Sequence, residues 1–181
     1  MKIKRHKKCS VCRQKFDRTL TTQKVCSWQC AIKLVEIEKQ EKERIENFRR
    51  KKEFRENDIK YWHKKAWEAC SIYIRTRDKD LPCVSFGRYH DGQYHAGHYR
   101  PSGDNAALRY DERNIHKQCS ACNRFKGGNL TLYRESLISR IGADIVESLD
   151  RNHEVKSWTI DELKEIVQYY KAKLKELKCS N

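Results

Sequence analysis

The sequence predicts an α+β chain, mostly helical. A small core of two strands and a helix follows a cysteine-bearing module and a long charged helix, and a helical tail comes after it. Three observations lead there. Two close cysteine pairs, Cys9-x2-Cys12 and Cys26-x3-Cys30, open the chain. A run without Gly or Pro, Ala31 to Asn57, comes next and is dense in the helix formers Glu, Lys and Arg. A strand-like block, Tyr94-His95-Ala96-Gly97-His98-Tyr99-Arg100, is then succeeded by Asn114 and by Cys119-Ser120-Ala121-Cys122-Asn123. The boundaries expected from these shifts are 1–35, 36–60 and 61–181.

Composition narrows the partners. Only 38% of the 181 residues are apolar and 36% are charged, so much of the chain should lie outside a core. The formal net charge of +15 favours a polyanion. Nucleic acid is the first expectation, with an acidic membrane surface and simple solubility as alternatives. No stretch approaches the ~20 apolar residues of a membrane span, so no membrane is expected. The N-terminus is basic with no apolar run behind it, unlike a secretory signal. The nine cysteines are therefore expected in a reducing cytosol, where paired spacings read as metal sites before disulfides.

The first module earns that reading from spacing alone. Two thiolate pairs, Cys9 with Cys12 and Cys26 with Cys30, suit tetrahedral zinc, each pair forming a knuckle on one side of the ion. All four positions are filled, so this Zn2+ would be structural, and it would supply most of the folding free energy of so small a module. Within 1–35 ten Lys or Arg face Asp17 alone, a net 10 − 1 = +9. Contact with a phosphate backbone is the natural use of that surface, and a protein-binding finger is the runner-up.

The charged run should be a solvated spacer helix, with opposite charges at helical spacing such as Glu38 with Lys42 and Glu46 with Arg50. A coiled-coil dimer seam and a DNA-tracking arm are the alternatives; Arg49-Arg50-Lys51-Lys52 is its stretch best suited to phosphate. Ile59, Trp62, Ala66, Ala69, Cys70, Tyr73 and Ile74 recur at three- and four-residue steps, which predicts an amphipathic helix against the core, ended by Pro82. In the tail, Gly142 breaks a helical pattern between Leu132 and Leu149, and Thr159-x2-Glu162 is a capping box for the last helix.

The block from Cys83 to Leu130 carries the chemistry. Its order, a strand histidine, then Asn, Cys-x2-Cys and Asn, resembles the HNH endonucleases, with their ββα-metal (HNH) fold. The resemblance makes His98 the general base that takes a proton from the attacking water. It makes Asn114 the residue that bonds across the ββ loop and orients His98. Asn123 becomes a ligand for catalytic Mg2+ or Mn2+ on the first turn of a helix, and Lys126 a charge stabiliser within Cys-x2-Cys-Asn-x2-Lys-Gly. Arg100, Arg113 and Arg124 are further phosphate-binding candidates. The other metal ligand is open. Gly97 immediately before the base has no side chain, and His95 is the nearest candidate, with His116 and Asp91 behind it. His95 and His98 would face opposite sides of a strand unless a bulge at Gly97 intervenes. A second structural zinc would be held by Cys119, Cys122 and Cys83. Phe86 stands where the fourth cysteine is expected, so either zinc is lost or His90 or another group completes the site.

The whole chain resembles the lambdoid phage NinG (Rap) family. The cysteine pairs, Arg75-x-Arg77-Asp78-x-Asp80-Leu81-Pro82-Cys83, Ala96-Gly97-His98-Tyr99-Arg100, Glu112-Arg113-Asn114-Ile115-His116-Lys117-Gln118-Cys119 and Leu137-Ile138-Ser139-Arg140-Ile141-Gly142 carry the resemblance. It implies a structure-selective endonuclease of phage recombination in the bacterial host cytoplasm, cutting Holliday junctions, D-loops and other branched DNA. It is similar to endonuclease VII, another junction resolvase, in its knuckles and in the Asn after the last cysteine. Symmetric resolution needs two sites, hence a possible homodimer. Phe86 and His95, the latter where Asp is expected, are the two departures. They leave open a zinc-finger protein that binds branched or single-stranded DNA with a decayed nuclease site. A less selective HNH endonuclease is the third reading.

Overall fold

Residues 6–179 are described by a computed structural model, in which the chain divides into two units, Met1–Glu56 and Asn57–Asn181. Lys2, Lys4 and Arg5 of the basic segment lie outside the described residues.

In the first unit, β1 (His6–Lys8) pairs antiparallel with β2 (Lys15–Asp17), Lys7 opposite Phe16. The turn between them is the Cys9–Cys12 knuckle. The Cys9 amide donates to Gln14 O at 2.8 Å and the Arg13 amide to Cys9 O at 3.0 Å. Arg13 takes a left-handed conformation, φ 65°, to close so tight a turn. Helix α1 (Trp28–Glu56) follows, and Ser27 Oγ accepts from the Cys30 amide at 3.4 Å, which sets Cys30 on its first turn. Cys30 is the buried residue of α1; farther along the helix, apolar Phe48 and Phe54 are 67% and 75% exposed. Glu38 meets Lys24 at 3.6 Å, from before the helix, and Arg50 donates to Asn47. These are not the partners expected from helical spacing, because on a solvated helix several partners lie within reach at nearly equal energy.

In the second unit, α2 (Ile59–Arg77) begins at Asp58, whose carboxylate accepts from the Lys60 amide. The strands β3 (Tyr94–His98) and β4 (Ile115–Cys119) form an antiparallel pair. Then come α3 (Leu130–Ile141), α4 (Ala143–Asp150) and α5 (Ile160–Cys179). Thr159 and Glu162 bond reciprocally at the start of α5, the Thr159 amide to Glu162 Oε2 at 2.8 Å and the Glu162 amide to Thr159 Oγ1 at 3.2 Å. Gly142, at φ 90°, separates α3 from α4.

Two apolar clusters hold this unit. The stripe on α2, with Ala66, Cys70, Tyr73 and Ile74, packs on Leu163, Val167 and Tyr170 of α5 and on Ala96 and Ile115 of the strand pair. Tyr133 and Leu137 of α3 and Val146 and Leu149 of α4 pack with Val84, Tyr99 and Leu108. Burying such side chains is worth ~1.5–3 kcal/mol each. One alternative falls away and one expectation is corrected. The strand register runs unbroken from Tyr94 opposite Cys119 to His98 opposite Ile115, so Gly97 makes no bulge. The helix expected at the second Cys-x2-Cys is a π-helical turn, Ala121–Phe125. Left-handed Gly127 and Gly128, φ 54° and 86°, and Asn129 detach it from α3.

Candidate active site and metal centres

The sulfurs of Cys9, Cys12, Cys26 and Cys30 lie within 4.8 Å of one another. Cys12 and Cys26 are 3.5 Å apart and Cys26 and Cys30 3.8 Å. Zinc bonded to four sulfurs at ~2.3 Å holds them ~3.8 Å apart, so this cluster can hold a metal such as zinc. Desolvation works against a charged Cys9, but the backbone N–H groups of Cys12, Val11 and Cys26 prevail and hold its thiol at about 6. Cys26, beside the Cys12 sulfur, is pushed up to about 12. Such thiols share protons that a cation would displace.

A second, fully buried group joins Cys83, Cys119 and Cys122, again within 4.8 Å. Desolvation opposes ionisation of Cys83, yet the amides of Cys119, Phe86 and Ser85 hold its thiol below the usual range. The Cys119 amide donates to Cys83 Sγ at 3.3 Å. Cys83-x2-Phe86 thus keeps the amide cradle of a knuckle without its second sulfur, and the Phe86 ring packs against the three thiols. His90, proposed from sequence to complete the site, stacks beside Phe86 at 5.8 Å and is not among the grouped ligands.

The candidate catalytic centre lies at the other end of β3. His98 is its last residue, stacked on Trp67 of α2 with 4.8 Å between ring centroids. Its Nε2–H donates to Arg109 O at 2.9 Å, which leaves the lone pair on Nδ1. Burial pushes the imidazole down, against the Arg109 carbonyl bond, so it is neutral at pH 7. Asn114 is fully buried behind it. Its Oδ1 accepts from the Arg100 amide at 2.7 Å, and its Nδ2 donates to Arg100 O at 3.0 Å and Leu108 O at 3.1 Å. One amide thereby pins both sides of the loop that carries Arg109.

His98 and Asn123 line one cleft of about 440 Å³, together with Lys64, Trp67 and Arg109. The structure also brings there a residue that the sequence reading passed over, His63 of α2. Its Nδ1 lies 2.8 Å from the Tyr110 hydroxyl. The available signal was a histidine four residues before Trp67 on the buried face of an amphipathic helix. The cleft lining includes no carboxylate among the described residues.

The other candidates lie elsewhere. With the register unbroken, the pleat sets His95, Gly97 and Gln118 on the face opposite His98. A Cβ on Gly97 would stand 2.1 Å from Gln118 Oε1, so a side chain at the position before the base would have to displace Gln118. Lys126 Nζ sits over the Phe86 ring at 4.6 Å. His116 is buried, its hydroxyl neighbour Tyr133 at 3.5 Å, and Asp91 is exposed. Arg113 is paired with Asp111. Arg100 lines a separate groove with Tyr99 and Arg134.

The family model described as Bacteriophage Lambda NinG protein matches residues 1–180. Protein ninG of Escherichia phage lambda is 41% identical over 185 residues, covering 93% of this chain and 91% of its own length. Protein ninG of Enterobacteria phage H19B is 41% identical, covering 96% and 94%. Protein ninG of Salmonella phage P22 is 40% identical, covering 93% and 91%. No solved structure matches the chain, and no helix among the described residues is long and apolar enough to cross a membrane.

Proposed function

The chain belongs to the NinG family of bacteriophage proteins, and from that premise we propose that it is a divalent-metal-dependent, HNH-type DNA endonuclease selective for branched DNA such as Holliday junctions, acting in phage recombination. The observation that carries the reading is the single cleft shared by His98 and Asn123, with the proton of His98 committed to a backbone carbonyl. The free Nδ1 of His98 takes a proton from the attacking water. Trp67 and the Arg109 carbonyl hold the ring, and Asn114 holds the loop behind it. Lys64 and Arg109 meet the phosphate, whose charge they offset. Asn123 would offer a divalent cation a hard oxygen donor, and such a cation would supply Lewis-acid stabilisation of the scissile phosphate and the leaving oxygen; the lining itself contributes no carboxylate.

The basic surface of the N-terminal unit, with its zinc-type cysteine cluster, contacts the backbone of the DNA arms. The test is cleavage of a labelled four-way junction beside the matching linear duplex, with Mn2+ or Mg2+ and with chelator. His98→Ala should abolish cutting and keep junction binding. Undiminished cutting by that variant would remove the base assignment. Tight junction binding by the wild type without cutting under either metal would favour the second reading, a binding protein with a decayed site, which the missing fourth thiolate at Phe86 keeps open.

A further inference from the structure

We propose that His63 of α2 is the second protein ligand of the catalytic cation, joining Asn123 in the lining of the His98 cleft; the inference rests on the nuclease reading above. Three observations lead to it. The position just before the base is closed, because Gln118 fills the space that any side chain on Gly97 would need. His95 lies on the far face of β3, as the unbroken register requires. His98 itself is taken up by its role as base. Among the lining residues of the cleft, His63 is the remaining imidazole.

Its surroundings suit ligation. The Tyr110 hydroxyl lies 2.8 Å from His63 Nδ1 and 3.2 Å from His63 O, so the tautomer protonated at Nδ1 lets the imidazole donate to the phenol while the phenol donates to the carbonyl. Nε2 is then the lone-pair nitrogen. A ring nitrogen committed to a fixed neighbour, with the other free, is the arrangement that metal-ligating histidines show almost without exception. The Tyr110 ring also lies parallel to His63, 6.2 Å between centroids at 20°, which limits rotation. Tyr110 is in turn anchored: the Tyr170 hydroxyl donates to its carbonyl, and its ring meets Trp158 edge-on at 5.1 Å. The ligand is thus set on α2, whose apolar face packs against α5. An imidazole beside an amide oxygen favours Mn2+ over Mg2+, since Mg2+ prefers oxygen donors throughout. Lys64 and Arg109 disfavour a free cation, so the site should fill only once DNA phosphate has entered.

The experiment uses the full chain, zinc-loaded, with 15N-labelled histidine, bound to an oligonucleotide four-way junction and titrated with Mn2+. Pulsed EPR reads 15N-imidazole coupling to Mn2+, which the nitrogens of the bases cannot mimic. The coupling should be present in wild type and in His98→Ala. It should vanish in His63→Ala, with Mn2+ affinity lower by roughly tenfold or more and junction affinity unchanged. Tyr110→Phe, which keeps the ring and removes the hydroxyl, should retain the coupling and weaken Mn2+ binding. Coupling that survives His63→Ala, is absent from the wild type, or is lost in His95→Ala instead overturns the assignment. Cutting is scored separately. Metal-dependent cutting with coupling independent of His63 sinks the ligand and leaves the nuclease. His63-dependent coupling without cutting sinks the nuclease and leaves the site.

Discussion

Replacing Asn114 with Ala removes one side chain and three hydrogen bonds. The partners left behind are the Arg100 amide, the Arg100 carbonyl and the Leu108 carbonyl. Asn114 is fully buried, so water does not reach them without opening the loop. A typical bond contributes ~1 kcal/mol net, and a buried group left unpaired costs ~1–3 kcal/mol. Relaxation of the loop will recover part of that, so the expected loss is about 3–5 kcal/mol. Urea unfolding followed by far-UV circular dichroism measures it. Asn114→Asp makes the argument sharper. It keeps an acceptor for the Arg100 amide but places a carboxylate against two carbonyl oxygens, so it should be no better than Ala. A loss below about 1 kcal/mol for Ala, or an Asp variant near wild type, would refute the view that this amide locks the loop. Where the Ala variant is still folded, junction cutting should fall more than junction binding, because the Arg109 carbonyl that orients His98 lies inside the same loop.

Other outcomes follow from single contacts. Gly97→Ala should destabilise by driving Gln118 out of its bonds to Ser85 Oγ (2.6 Å) and Gly128 O (2.5 Å). Adding Gln118→Ala should recover part of the loss, and additive losses would contradict the clash. Burial holds His116 at about 3, so it stays neutral in the fold while the unfolded chain protonates near 6.5. Its stability contribution is complete above pH 6.5 and falls as pH drops toward 3, by about 2 kcal/mol between pH 6.5 and 5. His116→Gln should flatten that slope in pH-dependent unfolding; an unchanged slope assigns it to other groups. Cys26→Ser should lower bound zinc, read by metal analysis, and open Arg13–Lys24 to trypsin. Unchanged zinc and protection would sink the cluster as a metal site.

Much of this molecule is written in local patterns. The spacings of Cys9, Cys12, Cys26 and Cys30 place four sulfurs around one point, because a knuckle is built from neighbouring backbone. Thr159-x2-Glu162 starts α5, and the three- and four-residue steps from Ile59 to Ile74 mark the packed face of α2. Asn114 was legible only through the family resemblance, which implies bonds across the ββ loop, and its amide does bond Arg100 and Leu108 there.

What the sequence could not decide was which face and which partner. One residue of strand parity separates His95 from the His98 side, and only the pairing of β3 with β4 shows that Gly97 makes no bulge. The resemblance placed Asn123 on the first turn of a helix, but two left-handed glycines limit that helix to a single π-helical turn. Phe86 read as a missing ligand, whereas in the fold its amide still serves Cys83 and its ring covers the three thiols. His63 stands 35 positions before His98 and reaches its cleft only because α2 packs across the strand pair. Periodicity reports the chain's own neighbours; a site assembled from a helix, a strand end and a turn is fixed by long-range packing, which no local spacing encodes.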